Sequence, residues 1–334
     1  MTLGARMEAD MRAQPDVLRA LAAARRPVLG ETPRGIAIVA RGSSDYAAIF
    51  GRYVIEAATG MPVALAAPSL QTLYGVESRL TGWLAIGISQ SGRTPEIAAV
   101  LERYRRAGAR TLAITNDPGS PLAGSADAAI ALAAGDEAAV PATKTFTAQL
   151  AALALVAEAL GPVPWTAADW ERMPDAVAEV LDDPAPAERA AARLDGAAEL
   201  VAVGRGYLMP VALEAALKLR EAAGLRAEGW SAADFRHGPV TVAGAGLPVL
   251  AVEAAGPAAA DVEELAGELE AGGATVLRLA DDTRADLPYP GDLAEPLRAL
   301  PAAVRAQQLA LAVARRRGLE PDSPPGLAKV TPTR

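Results

Sequence analysis

Cysteine is absent from the 334-residue chain, and histidine occurs once, at His237. The first absence excludes disulfides, thiolate chemistry and cysteine metal sites, and the second excludes a histidine-rich zinc centre. Nothing in the pattern signals a carboxylate magnesium site either, so no metal is expected. Aromatic residues make up 4% of the chain against 51% apolar residues in all, so its cores must be built from Ala, Val and Leu. Lysine is nearly as scarce. Of 32 basic residues, three are lysines (Lys144, Lys218 and Lys329), and the other 32 − 3 = 29 are arginines. Where guanidinium has all but replaced ammonium, a retained lysine marks a place where a compact, titratable amine serves and a planar fork does not.

Long apolar runs are missing too. No uncharged stretch of roughly 18 residues with spanning composition occurs, and Glu8, Asp10 and Asp16 interrupt the N-terminal segment where a signal peptide needs an unbroken apolar run. A soluble, cytoplasmic protein without membrane partners is expected. The net charge is -8, and the arginines are interspersed with 40 acidic residues instead of gathered in a run. That leaves no electrostatic footprint for nucleic acid.

Residues 7 to 26 carry helical periodicity and end at Arg26-Pro27, which predicts a lead-in helix. Gly35 to Val39 reads as a short apolar strand, broken by Arg41-Gly42-Ser43-Ser44 and followed by a helix from about Asp45 to Ala58. Met61 to Ala66, Trp83 to Ile88, Thr111 to Thr115 and Ala128 to Leu132 are further strands separated by helices or turns. Such alternation means a parallel sheet covered by helices on both faces. The pattern then restarts, with strands at Glu199 to Val203, Leu247 to Val252 and Thr275 to Leu279 and helices at Pro210 to Ala223 and Asp261 to Glu270. "AIVARGSSDYAAI" sits beside "VAVGRGYLMPVAL" as one unit used twice. Between the copies, Asp182-Asp183-Pro184-Ala185-Pro186 breaks a helical bridge. The expected domains are a lead-in over 1–33, a first α/β domain over 34–165, a linker over 166–195, a second α/β domain over 196–316 and a tail over 317–334.

The two copies differ where it matters. Ser89, Gln90, Ser91 and Thr94 follow an apolar strand directly, and Pro95 and Glu96 open the next helix. A helix start already favours an anion, and three hydroxyls and an amide add donors without a counter-charge, which suits a phosphate monoester. Ser43 and Ser44 stand at the equivalent strand end of the preceding unit and could complete the ring. Serine and threonine are also ordinary helix caps, but four donors within six residues at a strand's carboxyl end exceed what capping requires. The second copy reads Glu253-Ala254-Ala255-Gly256-Pro257, with a carboxylate and no hydroxyl, so an anion site there would be lost.

Glu214, Lys218 and Glu221 stand at i, i+4 and i+7, on one face of a helix. An exposed salt-bridge stripe has the same spacing, yet the neighbours Ala215, Ala216, Leu217, Leu219, Ala222 and Ala223 are apolar nearly all round, where charges are costly without a task. His237 follows in the tight segment Arg236-His237-Gly238-Pro239, and carboxylate with imidazole makes an acid/base pair. Lys329 is kept in a proline-rich tail, which argues for a positioned amine.

These motifs resemble those of the double sugar-isomerase (SIS) proteins. The likeness is greatest to the isomerase half of glucosamine-6-phosphate synthase and to its stand-alone relatives, the alternative-type glucosamine-6-phosphate deaminases and the fructosamine-6-phosphate deglycases. The matching stretches run in family order over nearly the whole chain: "EADMRAQPDVL", "RGSSDYAA", "ISQSGRTPE", "ITNDPGSPLA", "GDEAAVPATKTFTAQL", "GRGYLMPVALEAALKLREAAGLRAEGWSAADFRHGPV" and "DSPPGLAKV". The resemblance implies two tandem, doubly wound, flavodoxin-like SIS domains. It implies that Ser89, Gln90, Ser91 and Thr94 hold the sugar phosphate and that Ser44 joins them. By the same likeness Glu221 moves the proton between C1 and C2, and His237 opens the sugar ring from a partner subunit in an obligate homodimer. Lys329 lies on a tail that closes the site and can form an imine with the open-chain sugar. Glu214, Lys218, Val140 and Ala142 fall at positions lining the pocket, Ala142 where the synthase has serine, and Pro325-Gly326 replaces an Arg-Asn pair of its tail.

The residues before Gly35 leave no room for a glutaminase domain, so ammonia release, not glutamine-dependent synthesis, is expected of this chain alone. The expected reaction is conversion of glucosamine 6-phosphate to fructose 6-phosphate and ammonia without a cofactor, because carboxylate and imidazole suffice for proton transfer beside a carbonyl or imine. A fructosamine-6-phosphate deglycase is the alternative from the same chemistry. A non-catalytic sugar-phosphate sensor is the alternative of another class, and it has no use for Glu221, His237 and Lys329 together.

Overall fold

The structure is a computed structural model that describes residues 2–24 and 26–329, so the last five residues of the expected tail, with Met1 and Arg25, lie outside the described residues. Two compact units emerge. The N-terminal unit is formed by Val17–Asp136, Lys144–Pro164 and residues 328 and 329. The C-terminal unit is formed by residues 2–16, Glu137–Thr143 and Trp165–Leu327.

The chain opens with α1 (Ala5–Arg12) and α2 (Gln14–Ala22), two helices where one was expected. Pro15 supplies the reason: it lacks a donor for the preceding turn and favours the first turn of a new helix. The N-terminal unit then runs β1 (Ile36–Val39), α3 (Ser43–Thr59), β2 (Val63–Leu65), α4 (Pro68–Thr72), β3 (Leu84–Ile88), α5 (Pro95–Arg106), β4 (Arg110–Thr115), α6 (Pro121–Gly124), β5 (Ala128–Ala131) and α7 (Lys144–Leu160). The C-terminal unit contains α8 (Ala167–Asp182), α9 (Ala185–Arg193), β6 (Glu199–Gly204), α10 (Met209–Ala223), β7 (Arg226–Ser231), α11 (Ala232–Arg236), β8 (Pro248–Val252), α12 (Ala259–Ala271), β9 (Thr275–Ala280), β10 (Leu287–Pro288) and α13 (Ala299–Arg316). The break between α8 and α9 falls at Asp183-Pro184, inside the expected breaker.

Each unit holds a five-stranded, all-parallel sheet. The orders are β2-β1-β3-β4-β5 and β10-β9-β8-β6-β7, so counted by appearance both read 2-1-3-4-5, the doubly wound, flavodoxin-like arrangement. Central strands such as Ile36–Val39, Leu84–Ile88 and Pro248–Val252 are buried along their whole length. Strands covered by helices on both faces need such unbroken apolar runs, which is why they were legible. Aromatic side chains are few, so the helices pack closely through alanine and leucine: α7 is buried from Lys144 to Ala157, and α3 packs along it.

This topology creates the place for a ligand. The chain leaves β1 toward one side of the sheet and β3 toward the other, and the two strands are neighbours, with Val39 opposite Gly87. Loops at their carboxyl ends therefore diverge around a crevice.

Candidate active site

In the N-terminal unit the crevice is lined by the two loops that carry hydroxyls. Ser89 is buried at the end of β3, and its Oγ lies 3.3 Å from the Oγ1 of Thr94, the residue before α5. Thr94 makes no side-chain cap for its helix, so that hydroxyl stays turned to the loop. The loop folds back on β4: the Asn116 N–H donates to the Gln90 carbonyl (3.0 Å) and the Leu122 N–H to the Gly92 carbonyl (3.0 Å). Gly92 has φ 62°, and a Cβ there would meet Ser120 Oγ at 2.0 Å, so only glycine closes this turn. Ser91 Oγ accepts the Arg93 N–H at 3.2 Å.

Ser43 opens α3 across the crevice, after Gly42. Ser44, also buried, accepts a hydrogen bond from Gln149 Nε2 of α7 at 3.0 Å, which leaves its O–H to donate elsewhere. Sequence reasoning missed Arg41. Its guanidinium grips the buried Glu96 carboxylate through two bonds of 3.0 and 3.1 Å, tying the β1 loop to the first turn of α5. The starts of α3 and α5 are thereby held together, with two positive dipole ends at the crevice. The only available sequence signal was an arginine just before the glycine-serine turn.

In the C-terminal unit α10 brings Glu214, Lys218 and Glu221 together. The Lys218 ammonium, 1% exposed, stands 2.5 Å from Glu221 Oε2 and 3.4 Å from Glu214 Oε1. Burial alone would lower the lysine's pKa. The carboxylates of Glu214 and Glu221, with Glu137 behind them, outweigh it, so the amine is held above its ordinary value and fully charged. Glu214 is 2% exposed, whereas Glu221 is 22% exposed.

Glu137 was also missed. It belongs to the strap Glu137–Thr143, where its Oε1 accepts the Thr143 N–H at 2.9 Å. Asp10 Oδ2 accepts the Ala139 N–H (3.0 Å), the Asp322 carbonyl accepts the Val140 N–H (3.1 Å), and Gln307 Nε2 donates to the Thr143 carbonyl (3.2 Å). Val140 and Ala142 thus sit half-buried on a strap pinned at several points within the unit that contains α10.

Other expected residues are not gathered into this group. His237 is exposed just after α11; its N–H donates to the Asp234 carbonyl (3.0 Å), and among the described residues its imidazole makes no hydrogen bond. Lys329 is the last described residue, half-buried and grouped with the N-terminal unit. Lys144, flagged by its rarity, is buried at the start of α7, where its Nζ donates to the Asp136 carbonyl at 2.7 Å, a structural use. Among the described residues no group of three or more His, Cys, Asp or Glu could hold a metal ion, and no helix is long and apolar enough to cross a membrane.

Two parallel sheets of one order, a hydroxyl-lined loop at a switch point of one and a helix with a buried glutamate–lysine pair beside the other define a two-domain, doubly wound α/β protein. The SIS domain model matches residues 32–159. Glutamine–fructose-6-phosphate aminotransferase (isomerizing) of Methanothermobacter thermautotrophicus is 34% identical over 312 residues, which are 90% of this chain and 52% of that protein. The chain spans about half the length of the curated relatives it matches. A protein of Silicibacter pomeroyi DSS-3 proposed to be a phosphosugar isomerase is 33% identical with a TM-score of 0.79, covering 95% of this chain and 99% of that one. Glucosamine-6-phosphate deaminase of Thermotoga maritima is 25% identical with a TM-score of 0.81, covering 98% and 100%. The chain belongs to the SIS domain family, among phosphosugar isomerases and the isomerase half of the aminotransferase.

Proposed function

We propose that the protein converts an amino-hexose 6-phosphate, glucosamine 6-phosphate, to fructose 6-phosphate and ammonia. The observation that carries this is the contrast on α10: Glu214 and Lys218 are sealed, while Glu221 keeps one of its oxygens on the ammonium and is the member of the group open to a substrate. The phosphate binds among Ser89, Gln90, Ser91, Thr94, Ser43 and Ser44, a reading supported by the paired helix starts that Arg41 and Glu96 hold together.

His237, supplied by the partner subunit of a homodimer, assists ring opening, a role that its exposed, unbonded imidazole suits. Glu221 then takes the C2 proton of the open-chain aldehyde as the aldehyde oxygen gains a proton from solvent, giving an enolamine, and returns it to C1 as the nitrogen gives up a proton to solvent. The product is a C2 imine with a C1 hydroxymethyl group. Water adds to C2, the C–N bond breaks, and ammonia leaves with the proton it needs, producing the ketone. A buried, charged Lys218 beside Glu221 fixes that carboxylate in place. Lys329 closes the site as a second amine.

The test is ammonia release across glucosamine, galactosamine, N-acetylglucosamine and fructoselysine 6-phosphates, with exchange of the C2 proton followed in deuterated solvent. Glucosamine 6-phosphate should give both signals. Preference for fructoselysine 6-phosphate would make the protein a deglycase, and tight binding without exchange or ammonia would make it a sensor. Mixing inactive Glu221→Gln and His237→Ala chains should restore activity through hybrid dimers; no recovery after verified subunit exchange places both residues in one subunit's site.

A further inference from the structure

A second cleft, of about 390 Å³, opens in the N-terminal unit between α4 and the last turn of α5. Because α5 leaves the carboxyl end of β3 and returns to the start of β4, its last turn, and with it this side of the cleft, lies toward the amino ends of the strands, away from the serine loops at their carboxyl ends. Its volume is within the range of small-molecule sites.

Its lining carries an unmet demand. Gln71, near the end of α4, is 4% exposed; its Nε2 donates to Ser78 Oγ (3.3 Å) and its backbone carbonyl accepts from Arg103 Nη1 (2.5 Å). Its Oε1 is buried and meets no donor among the described residues. Buried acceptors are seldom left unmet in folded proteins, so this oxygen calls for a donor from outside the chain. Two charges face the same space without an ion pair among the described residues: the exposed guanidinium of Arg103 and the exposed carboxylate of Glu77. Val76 and the buried ring of Tyr104 supply an apolar wall.

An acceptor amide and a carboxylate suit an ammonium, which has three donors and no acceptor, and a guanidinium fork suits a carboxylate. We propose that this cleft binds a free α-amino acid with an apolar side chain: its ammonium on Gln71 Oε1 and Glu77, its carboxylate on Arg103, and its side chain against Val76 and Tyr104. The site is independent of the reaction proposed above and stands whether or not that reaction is found.

Titration calorimetry on the full chain tests it, with L-valine and L-phenylalanine as probes. N-acetyl-L-valine lacks the ammonium, L-valinamide lacks the carboxylate, and inorganic phosphate is an anion alone. One or both amino acids should bind saturably, and each derivative should bind at least tenfold more weakly. Arg103→Gln and Gln71→Met should each weaken the amino acid at least tenfold; Arg103 is exposed, so its variant reports even where Gln71→Met disturbs folding. Three results overturn the proposal: no saturable binding of either amino acid up to about 10 mM, where specific recognition is negligible; equal binding of phosphate or of either derivative; or binding that Arg103→Gln leaves unchanged.

Discussion

The loops after β3 and after β8 occupy the same place in two copies of one fold, and they treat an anion in opposite ways. After β3 the side chains are hydroxyls, and the loop's acidic neighbour Glu96 is drawn off by Arg41. After β8 the protein supplies the anions itself. The Ala255 N–H is received by both oxygens of Asp281 at 3.0 Å, and Arg298 bonds Asp281 (2.6 Å) and the Ala255 carbonyl (2.9 Å). Glu295 fills the space beside Gly256, its carboxylate oxygen 2.5 Å from where a Cβ would stand. Glu253 is buried against Arg278 at 3.0 Å, and the Tyr289 hydroxyl donates to its carbonyl. Duplication therefore gave two crevices. One is lined by hydroxyls, and the other is filled by an arginine–carboxylate network.

This division of labour predicts opposite kinetic signatures. Replacing the proposed base, Glu221→Gln, should lower kcat by about 10²–10⁴-fold, the usual worth of a positioned general base. Binding of fructose 6-phosphate should persist, because the serine loop is untouched; calorimetry alongside steady-state rates checks both. Loss of binding with kcat preserved would reverse the assignment of the two units.

The closed crevice should matter for stability and not for substrate. Asp281 and Arg298 are 9% and 17% exposed, so Asp281→Ala leaves a nearly buried guanidinium unpaired and should cost about 3 kcal/mol in denaturant unfolding. KM for the sugar phosphate should be unchanged. The open crevice should behave in the converse way: Ser89→Ala or Thr94→Ala removes a hydroxyl donor to a charged group, worth about 1.5–3 kcal/mol. KM should rise about 10- to 100-fold with kcat nearly preserved, since a phosphate is held alike in ground and transition states. A collapsed kcat at unchanged KM would mean that the loop does not hold the phosphate.

Much of this contrast was legible in the chain. The hydroxyl loop, its carboxylate counterpart and the α10 face are local patterns whose geometry follows from a strand end or a helical repeat, and central strands announce themselves as continuous apolar runs. β7 escaped notice because Arg226 and Glu228 are exposed along it and Gly229 interrupts it, as an edge strand allows, and β10 is only two residues long. Arg41–Glu96 and the Glu137 strap were hidden for another reason. Each links segments far apart in the chain, and a single charged residue carries no periodicity that reveals its partner. The same holds for the carboxylates of the closed crevice: Glu253 was visible as an anomaly, but Asp281 and Glu295 come from later loops that only the fold brings back to it.

The smallest expected effect sharpens the comparison through pH. Burial raises the Glu253 carboxyl to about 7, against the opposing pull of Arg278 and with the help of Glu263 and Glu270. The folded state therefore binds this proton more tightly than the unfolded chain, whose ordinary value is 4.5. Below about 4.5 both states are protonated and no cost arises; as pH rises toward about 7 the unfolded chain ionises first and stability falls; above about 7 the cost is complete. Glu253→Gln cannot ionise, so the variant should gain on the wild type across that window, by on the order of 1 kcal/mol after allowance for screening through the partly exposed Arg278 beside it. Losing the bond to Arg278 shifts the variant's stability by a constant and does not create the slope. Urea unfolding from pH 4.5 to 8 reads the difference directly. A flat difference curve would mean that the closed crevice holds Glu253 ionised by its arginines throughout, and that the network is an ion pair without a buried proton.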